Sequence, residues 1–133
     1  MLYTMMQTCD QTNMTYQALK FYCNEGLVPN VKRDKNNRRV FDERDIAWIG
    51  SLTCLKKCGM SIQEMKEYLA LCLQGVSTIP QRKELLAQKQ AMLRETIREL
   101  EGSVAYIDWK QNLYDEILSG KRPYESNVSC EDA

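Results

Sequence analysis

Six cysteines, a cluster of cations and a complete absence of histidine define what chemistry this chain can do. The cysteines stand at 9, 23, 54, 58, 72 and 130. Cys54 is followed by Lys56 and Lys57, and a nearby cation favours thiolate, the form that attacks electrophiles. Cys58 follows one helical turn later. Residues so spaced on a helix have Cβ atoms roughly 5–6 Å apart, whereas a disulfide wants about 3.8 Å. A bridge between them therefore requires local unwinding. A thiol pair that answers a bifunctional electrophile or a soft metal stays open. The lack of histidine removes the commonest general base and a favoured metal ligand. No phosphate loop or nucleophile motif is present, so the sequence offers no enzyme and calls for no cofactor.

The second chemical feature is basic. Between Val31 and Phe41 stand Lys32, Arg33, Lys35, Arg38 and Arg39 against Asp34 alone, a local balance of +4 in a chain of net charge zero. From Val76 to Ala133 the balance is −2, eight basic residues against ten acidic. Positive charge gathered on one short hairpin is a surface for a polyanion.

The elements that must position these residues are legible from spacing and caps. Thr4 to Gln11 predicts a first helix with Met5, Met6 and Cys9 on its buried side. Asn13-Met14 turns into a second helix capped by Thr15, with Leu19, Tyr22 and Cys23 at helical spacing and Gly26 as its stop. The basic hairpin follows. Asp42, with Asp45 three residues on, caps a third helix whose apolar stripe is Ile46, Ile49, Leu52 and Thr53, ending at Gly59. Ser61 and Glu64 form a capping box for a fourth helix, whose inner face is expected to be lined by Ile62, Met65, Tyr68, Leu69 and Cys72. After a break at Gly75, Ser77 and Thr78, a long helix runs from Pro80 to Leu118. Ile79, Leu86, Leu93, Leu100, Ile107 and Tyr114 recur at seven-residue intervals, with Ile97, Val104 and Leu118 in a second register. Lys83, Gln90 and Gln111 interrupt that second register. Such heptads predict a coiled coil. A second copy of the helix can cover it, so Leu86, Leu93, Ile97, Leu100, Val104 and Ile107 are expected to form a homodimer seam. Heptads do not set its direction. The order helix, basic wing, helix predicts a mainly α, winged helix-turn-helix fold for double-stranded DNA. Expected divisions are a DNA-binding domain over 1–76, a dimerisation helix over 77–120 and a mobile tail over 121–133.

Taken together, Leu19-Lys20-Phe21-Tyr22, Glu25-Gly26-Leu27-Val28-Pro29, Arg33, Arg39-Val40-Phe41-Asp42, Asp45-Ile46 and Gly59-Met60-Ser61 resemble the MerR family of bacterial transcription regulators. The likeness extends to about Leu118. Lys20-Phe21 stands where arginine-tyrosine is usual, Cys23 where an acidic residue is common, and Asn37-Arg38 where the wing has glycine-tyrosine. The resemblance implies an antiparallel dimer that distorts a promoter and so brings its elements into register for RNA polymerase. The context Thr53-Cys54-Leu55-Lys56-Lys57 further resembles the thiol-sensing branch that answers aldehyde, nitrosative or oxidative stress. That makes Cys54, with Cys58 beside it, the expected sensor. Burial of Cys54 without a sensing role is the competing reading. Cys9, Cys23 and Cys72 are expected to pack as small hydrophobes. The family's metal sensors place one cysteine at the start of the long helix and a pair after it. Here Ser77 occupies the first place and Cys130 stands alone in the second, so no metal site is expected. A metal-responsive or effector-independent regulator, and more remotely a coiled-coil scaffold, are the alternatives; a scaffold gains nothing from Arg33, Arg38 and Arg39 side by side.

The residues expected on DNA are Thr15, Tyr16, Gln17 and Lys20 of the second helix, with Tyr22, Arg33, Arg38, Arg39 and Lys56. Short polar side chains at a helix N-terminus suit base edges, while most basic contacts fix register on phosphates. Tyr22 is also expected to pack under the wing, and Phe21 to serve structure. The first ten residues lack the pattern of a secretion signal, and no run approaches the roughly 20 apolar residues of a membrane span. A cytoplasmic chain with reduced thiols and no membrane partner is the expectation.

Overall fold

The computed structural model describes residues 1–128. Cys130 lies outside the described residues. The chain divides into two compact units, Met1–Gln90 and the remainder from Ala91.

The first unit builds its core from short, well-capped helices around a small sheet. Strand β1 (Tyr3–Thr4) leads into α1 (Met5–Thr12), where Thr4 and Gln7 exchange side-chain and backbone hydrogen bonds in a capping box. Helix α2 (Tyr16–Asn24) starts on Thr15, whose hydroxyl accepts from the Ala18 N–H at 3.1 Å. Gly26 follows at φ 76°, a left-handed conformation that lets the chain leave the helix without a Cβ clash. Strands β2 (Lys32–Arg33) and β3 (Arg39–Phe41) form the wing, and β3 sits between β2 and β1 in an antiparallel sheet. Strand β1 was not foreseen in the sequence.

Helices α3 (Glu43–Lys57) and α4 (Ile62–Leu73) begin on the two expected capping boxes, Asp42 with Asp45 and Ser61 with Glu64. A 3-10 turn, Val76–Thr78, precedes α5 (Ile79–Leu118). Leu19, Leu27, Phe41, Ile49, Leu52 and Met65 fill the core. The Trp48 indole N–H donates to the Leu27 carbonyl at 2.7 Å, tying α3 to the loop after α2. Within this unit Leu85, on the first turns of α5, packs against the core, and Lys89 pairs with Glu64 at 2.7 Å.

Two expectations about packing are corrected. Met6 is 61 % exposed rather than buried, because the buried face of α1 carries Thr8 and Cys9, and Met6 lies two residues, or 200° of turn, from Thr8. On α3 the buried set is Asp45, Ile49, Leu52 and Leu55, so Leu55 takes the place in the stripe given to Thr53, which is half-buried.

The second unit holds the remaining turns of α5 and the residues after it. No residue of α5 is buried. Leu100, Val104 and Ile107 are each more than half exposed, as are Tyr106 and Trp109. Arg122, Pro123, Glu125 and Asn127 lie against Trp109, Leu113 and Ile117, with Arg122 paired to Glu116 at 3.3 Å. Among the described residues, no helix is long and apolar enough to cross a membrane.

Candidate nucleic-acid interface

The cap on α2 decides what its N-terminus can present. Thr15 spends its hydroxyl oxygen on the Ala18 N–H, which frames the first turn and leaves Tyr16, Gln17 and Lys20 pointing outward. All four residues are exposed. Tyr16 lies in one shallow groove with Arg33, Arg38 and Arg39 of the wing, floored by Met5, Met6 and Val40. A second groove on the other side of α2 is lined by Thr15, Ala18, Tyr22, Thr53, Lys56 and Lys57. The fold therefore brings the expected residues into two clusters that flank one helix. Gln17 and Lys20 lie on the exposed helix surface and line neither groove.

Tyr22 is 4 % exposed, so most of its ring belongs to the core of the head. Burial raises its phenol pKa above the ordinary value. Phe21 is half exposed, its ring 6.2 Å from that of Tyr22.

The wing turn is stiffened from within. The Asp34 carboxylate accepts from the N–H groups of Asn36 and Arg38, both at 2.9 Å, and Asn37 takes the left-handed φ of 59°. Asn37 thus fills with a short polar side chain a conformation that otherwise favours glycine.

The five wing cations are not equivalent, which spacing alone could not disclose. The Lys32 ammonium reaches Asp42 at 2.9 Å, Asp45 at 3.1 Å and the Asn30 carbonyl at 2.9 Å. All three of its donors have acceptors, so Lys32 neutralises the capping box of α3 and is withdrawn from the basic surface. Donating to the Asp42 carboxylate raises the Lys32 pKa. The same contact holds the Asp42 carboxyl down to about 2. Arg33 donates to the Asn37 carbonyl at 3.0 Å and Arg39 to the Asn24 side chain at 2.6 Å. Arg38 has no side-chain hydrogen bond or ion pair among the described residues.

The cysteines sort by exposure. Cys54 is exposed, Cys58 half-buried and Cys9 buried. Burial raises the Cys9 thiol pKa, and Asp10 adds to the shift. Cys23 is raised by burial against the opposing pull of Arg39 and Arg33. Cys54 lines an open, mainly apolar groove with Ala47, Trp48, Ser51, Leu55, Tyr68 and Leu86, where the rings of Trp48 and Tyr68 stack 6.4 Å apart. Within the single chain the reading of Cys54 as buried packing does not hold. Lys56 and Lys57 line the groove beside Thr15 and Tyr22 instead. Lys56 lies 200° round the helix from Cys54, toward the α2 side, whereas Lys57, three residues on, stands only 60° from it. No cluster of three or more metal-ligating side chains occurs among the described residues.

Relatives place this arrangement. The chain is 31 % identical over 116 residues to an uncharacterised HTH-type transcriptional regulator of Haemophilus influenzae, covering 87 % of this chain and 86 % of the relative. It is 37 % identical over 89 residues to the HTH-type transcriptional regulator AdhR of Bacillus subtilis, covering 67 % and 64 %. Among solved structures, HiNmlR, a MerR family regulator lacking the sensor domain and bound to promoter DNA, superposes with a TM-score of 0.76 at 30 % identity over 90 % of each chain. A MerR family regulator from Bacillus thuringiensis gives 0.72 at 30 %, covering 86 % of this chain and all of that one. Residues 3–72 match the MerR HTH family regulatory protein model and residues 47–109 the MerR DNA-binding model. By its winged head and these matches, this chain belongs to the MerR family of DNA-binding transcriptional regulators.

Proposed function

We propose that this regulator binds promoters in the cytoplasm as a homodimer and switches transcription by distorting DNA when a thiol-reactive signal modifies Cys54. The observation that carries the DNA-binding geometry is the groove shared by Tyr16 of α2 with Arg33, Arg38 and Arg39 of the wing. In this reading Thr15, Tyr16, Gln17 and Lys20 meet base edges and nearby phosphates in the major groove. Arg33 and Arg39, each already pinned by a protein acceptor, present fixed donors to phosphates. Lys56 and the edge of Tyr22 hold the backbone on the other side of α2. The DNA-bound state of HiNmlR supports the comparison.

The unburied ladder of Leu86, Leu93, Ile97, Leu100, Val104 and Ile107 pairs with its copy in a second chain, antiparallel as the family resemblance implies. Each head then takes one half-site. Bending a site costs about 1–6 kcal/mol, so induction must redistribute binding energy between two dimer states, one of which suits RNA polymerase. Cys54 stands exposed on α3 in the head, beside Trp48 and Tyr68. Addition of its sulfur to an aldehyde carbon forms a C–S bond and moves the carbonyl π pair to oxygen, which takes up a proton. No oxidant is needed. The bulky adduct then alters packing at that groove, with Cys58 one turn away as a second thiol.

A promoter reporter titrated with aldehyde, beside a gel-shift assay, tests this. Cys54→Ser should retain operator binding and lose induction, while Cys9→Ser and Cys130→Ser keep it. Full induction with Cys54→Ser would move the sensor to Cys58 or to a ligand that is not a thiol adduct.

A further inference from the structure

The basic wing contains one arginine whose charge is uncommitted and whose backbone is fixed. Lys32 is saturated by Asp42, Asp45 and Asn30. Arg33 and Arg39 are held by Asn37 and Asn24. Arg38 is exposed at the tip, its N–H tied to the Asp34 carboxylate at 2.9 Å and its guanidinium without a protein partner among the described residues. A rigid turn carrying a free, long cation is poorly suited to holding a single phosphate in register, a task the pinned Arg33 and Arg39 perform. It is well suited to insertion.

The neighbouring helix decides where it would insert. Arg38 and Tyr16 line the same groove, so the wing tip flanks the N-terminal turn of α2. A helix that fills the major groove, about 12 Å wide, leaves the element beside it over the phosphate ridge and the adjoining minor groove, about 6 Å wide. A narrow minor groove, typical of A-tracts, concentrates negative potential and attracts arginine. Guanidinium is more weakly hydrated than ammonium and sheds water at lower cost, which favours Arg38 over its exposed neighbour Lys35.

We infer that Arg38 enters the minor groove flanking each half-site and selects operators by groove width. The inference rests on the DNA-binding geometry proposed above. It assigns a specificity role to a position where the resembled family has an aromatic ring and this chain has a free guanidinium.

The test uses the full chain and an operator selected from random duplexes. Two versions share their half-sites and differ in the flank, an A-tract in one and mixed sequence with G·C pairs in the other. The unaltered protein should prefer the A-tract flank by about fivefold or more, the lower end of what one base pair contributes. Arg38→Ala and Arg38→Lys should both bind the two flanks equally, the lysine variant retaining more affinity overall. Arg33→Ala should weaken binding to both and keep the ratio. Replacing the flanking G·C pairs with I·C, which removes the amino group that obstructs the minor groove, should restore binding to the mixed flank. Equal binding of the two flanks by the unaltered protein overturns the inference and leaves DNA binding standing. A preference retained by Arg38→Lys also overturns it, because charge alone would then suffice. Failure to select any operator would instead remove the DNA-binding geometry itself.

Discussion

The head and the long helix treat their apolar residues in opposite ways. Leu19, Leu27, Ile49 and Leu52 of the head are 0 % exposed, whereas α5 buries nothing and leaves Leu100 and Val104 about 60 % exposed. A head of this kind is complete within one chain. An apolar ladder of this kind is not, since exposed leucines and isoleucines at heptad spacing gain their burial only from another surface. The same chain thus contains one region whose stability is its own and another whose stability should depend on concentration.

Breaking the ladder should have the largest effect. Leu93→Glu with Leu100→Glu places charge in the seam and should give a monomer by sedimentation whose head remains folded by circular dichroism. Loss of the second half-site should weaken operator binding by about a hundredfold or more, the scale of avidity lost when two linked sites separate. A double variant that stays dimeric would take the ladder out of the seam.

A cut in the head should behave differently. Leu52→Ala opens a void at a fully buried position and should cost roughly 2–5 kcal/mol in denaturant unfolding. That loss should not vary with protein concentration once dimer dissociation is accounted for. Concentration dependence equal to that of a seam variant would mean that head and helix unfold as one.

Much of the head was legible because its signals are local. The boxes Asp42 with Asp45 and Ser61 with Glu64 span three residues, and each forms as its spacing predicts. The family and the winged, mainly helical fold follow from the same short-range motifs. What was not legible depends on pairing at a distance. Strand β1 exists only through its register with β3, Tyr3 opposite Phe41 and Thr4 opposite Val40. The withdrawal of Lys32 by Asp45 joins residues that sit together only after the hairpin closes. The separation of Lys56 from Cys54 is a matter of helix face, which proximity in sequence conceals.

A smaller effect should come from the pinned wing arginines. Arg33→Ala and Arg39→Ala remove phosphate donors in the proposed interface, so each should weaken binding to all sequences alike. Each should also lower the slope of log affinity against log salt by about one. Gln17→Ala, on the exposed face of α2, should instead change discrimination among operators. Wing variants that alter base preference and keep the salt slope would exchange the two assignments.

The smallest expected effect concerns acid. In the folded head the Lys32 hydrogen bond holds the Asp42 carboxyl at about 2, below its ordinary 3.8. A carboxyl depressed on folding stabilises the native state fully above its unfolded value, and the contribution disappears as pH falls toward the folded one. The window therefore runs from about 4 down to about 2. Glu64, lowered by Lys89, acts in the same direction and stays in place as a background. Asp42→Asn is the informative variant, because asparagine caps a helix about as well as aspartate and removes only the charge. Urea midpoints at about pH 5 and about pH 3 should fall further in the unaltered protein than in Asp42→Asn. Because Lys32 and Asp42 both lie in the head, the difference should persist in the charged-seam monomer. A difference that vanishes with the dimer would place the acid sensitivity in the association and not in the head.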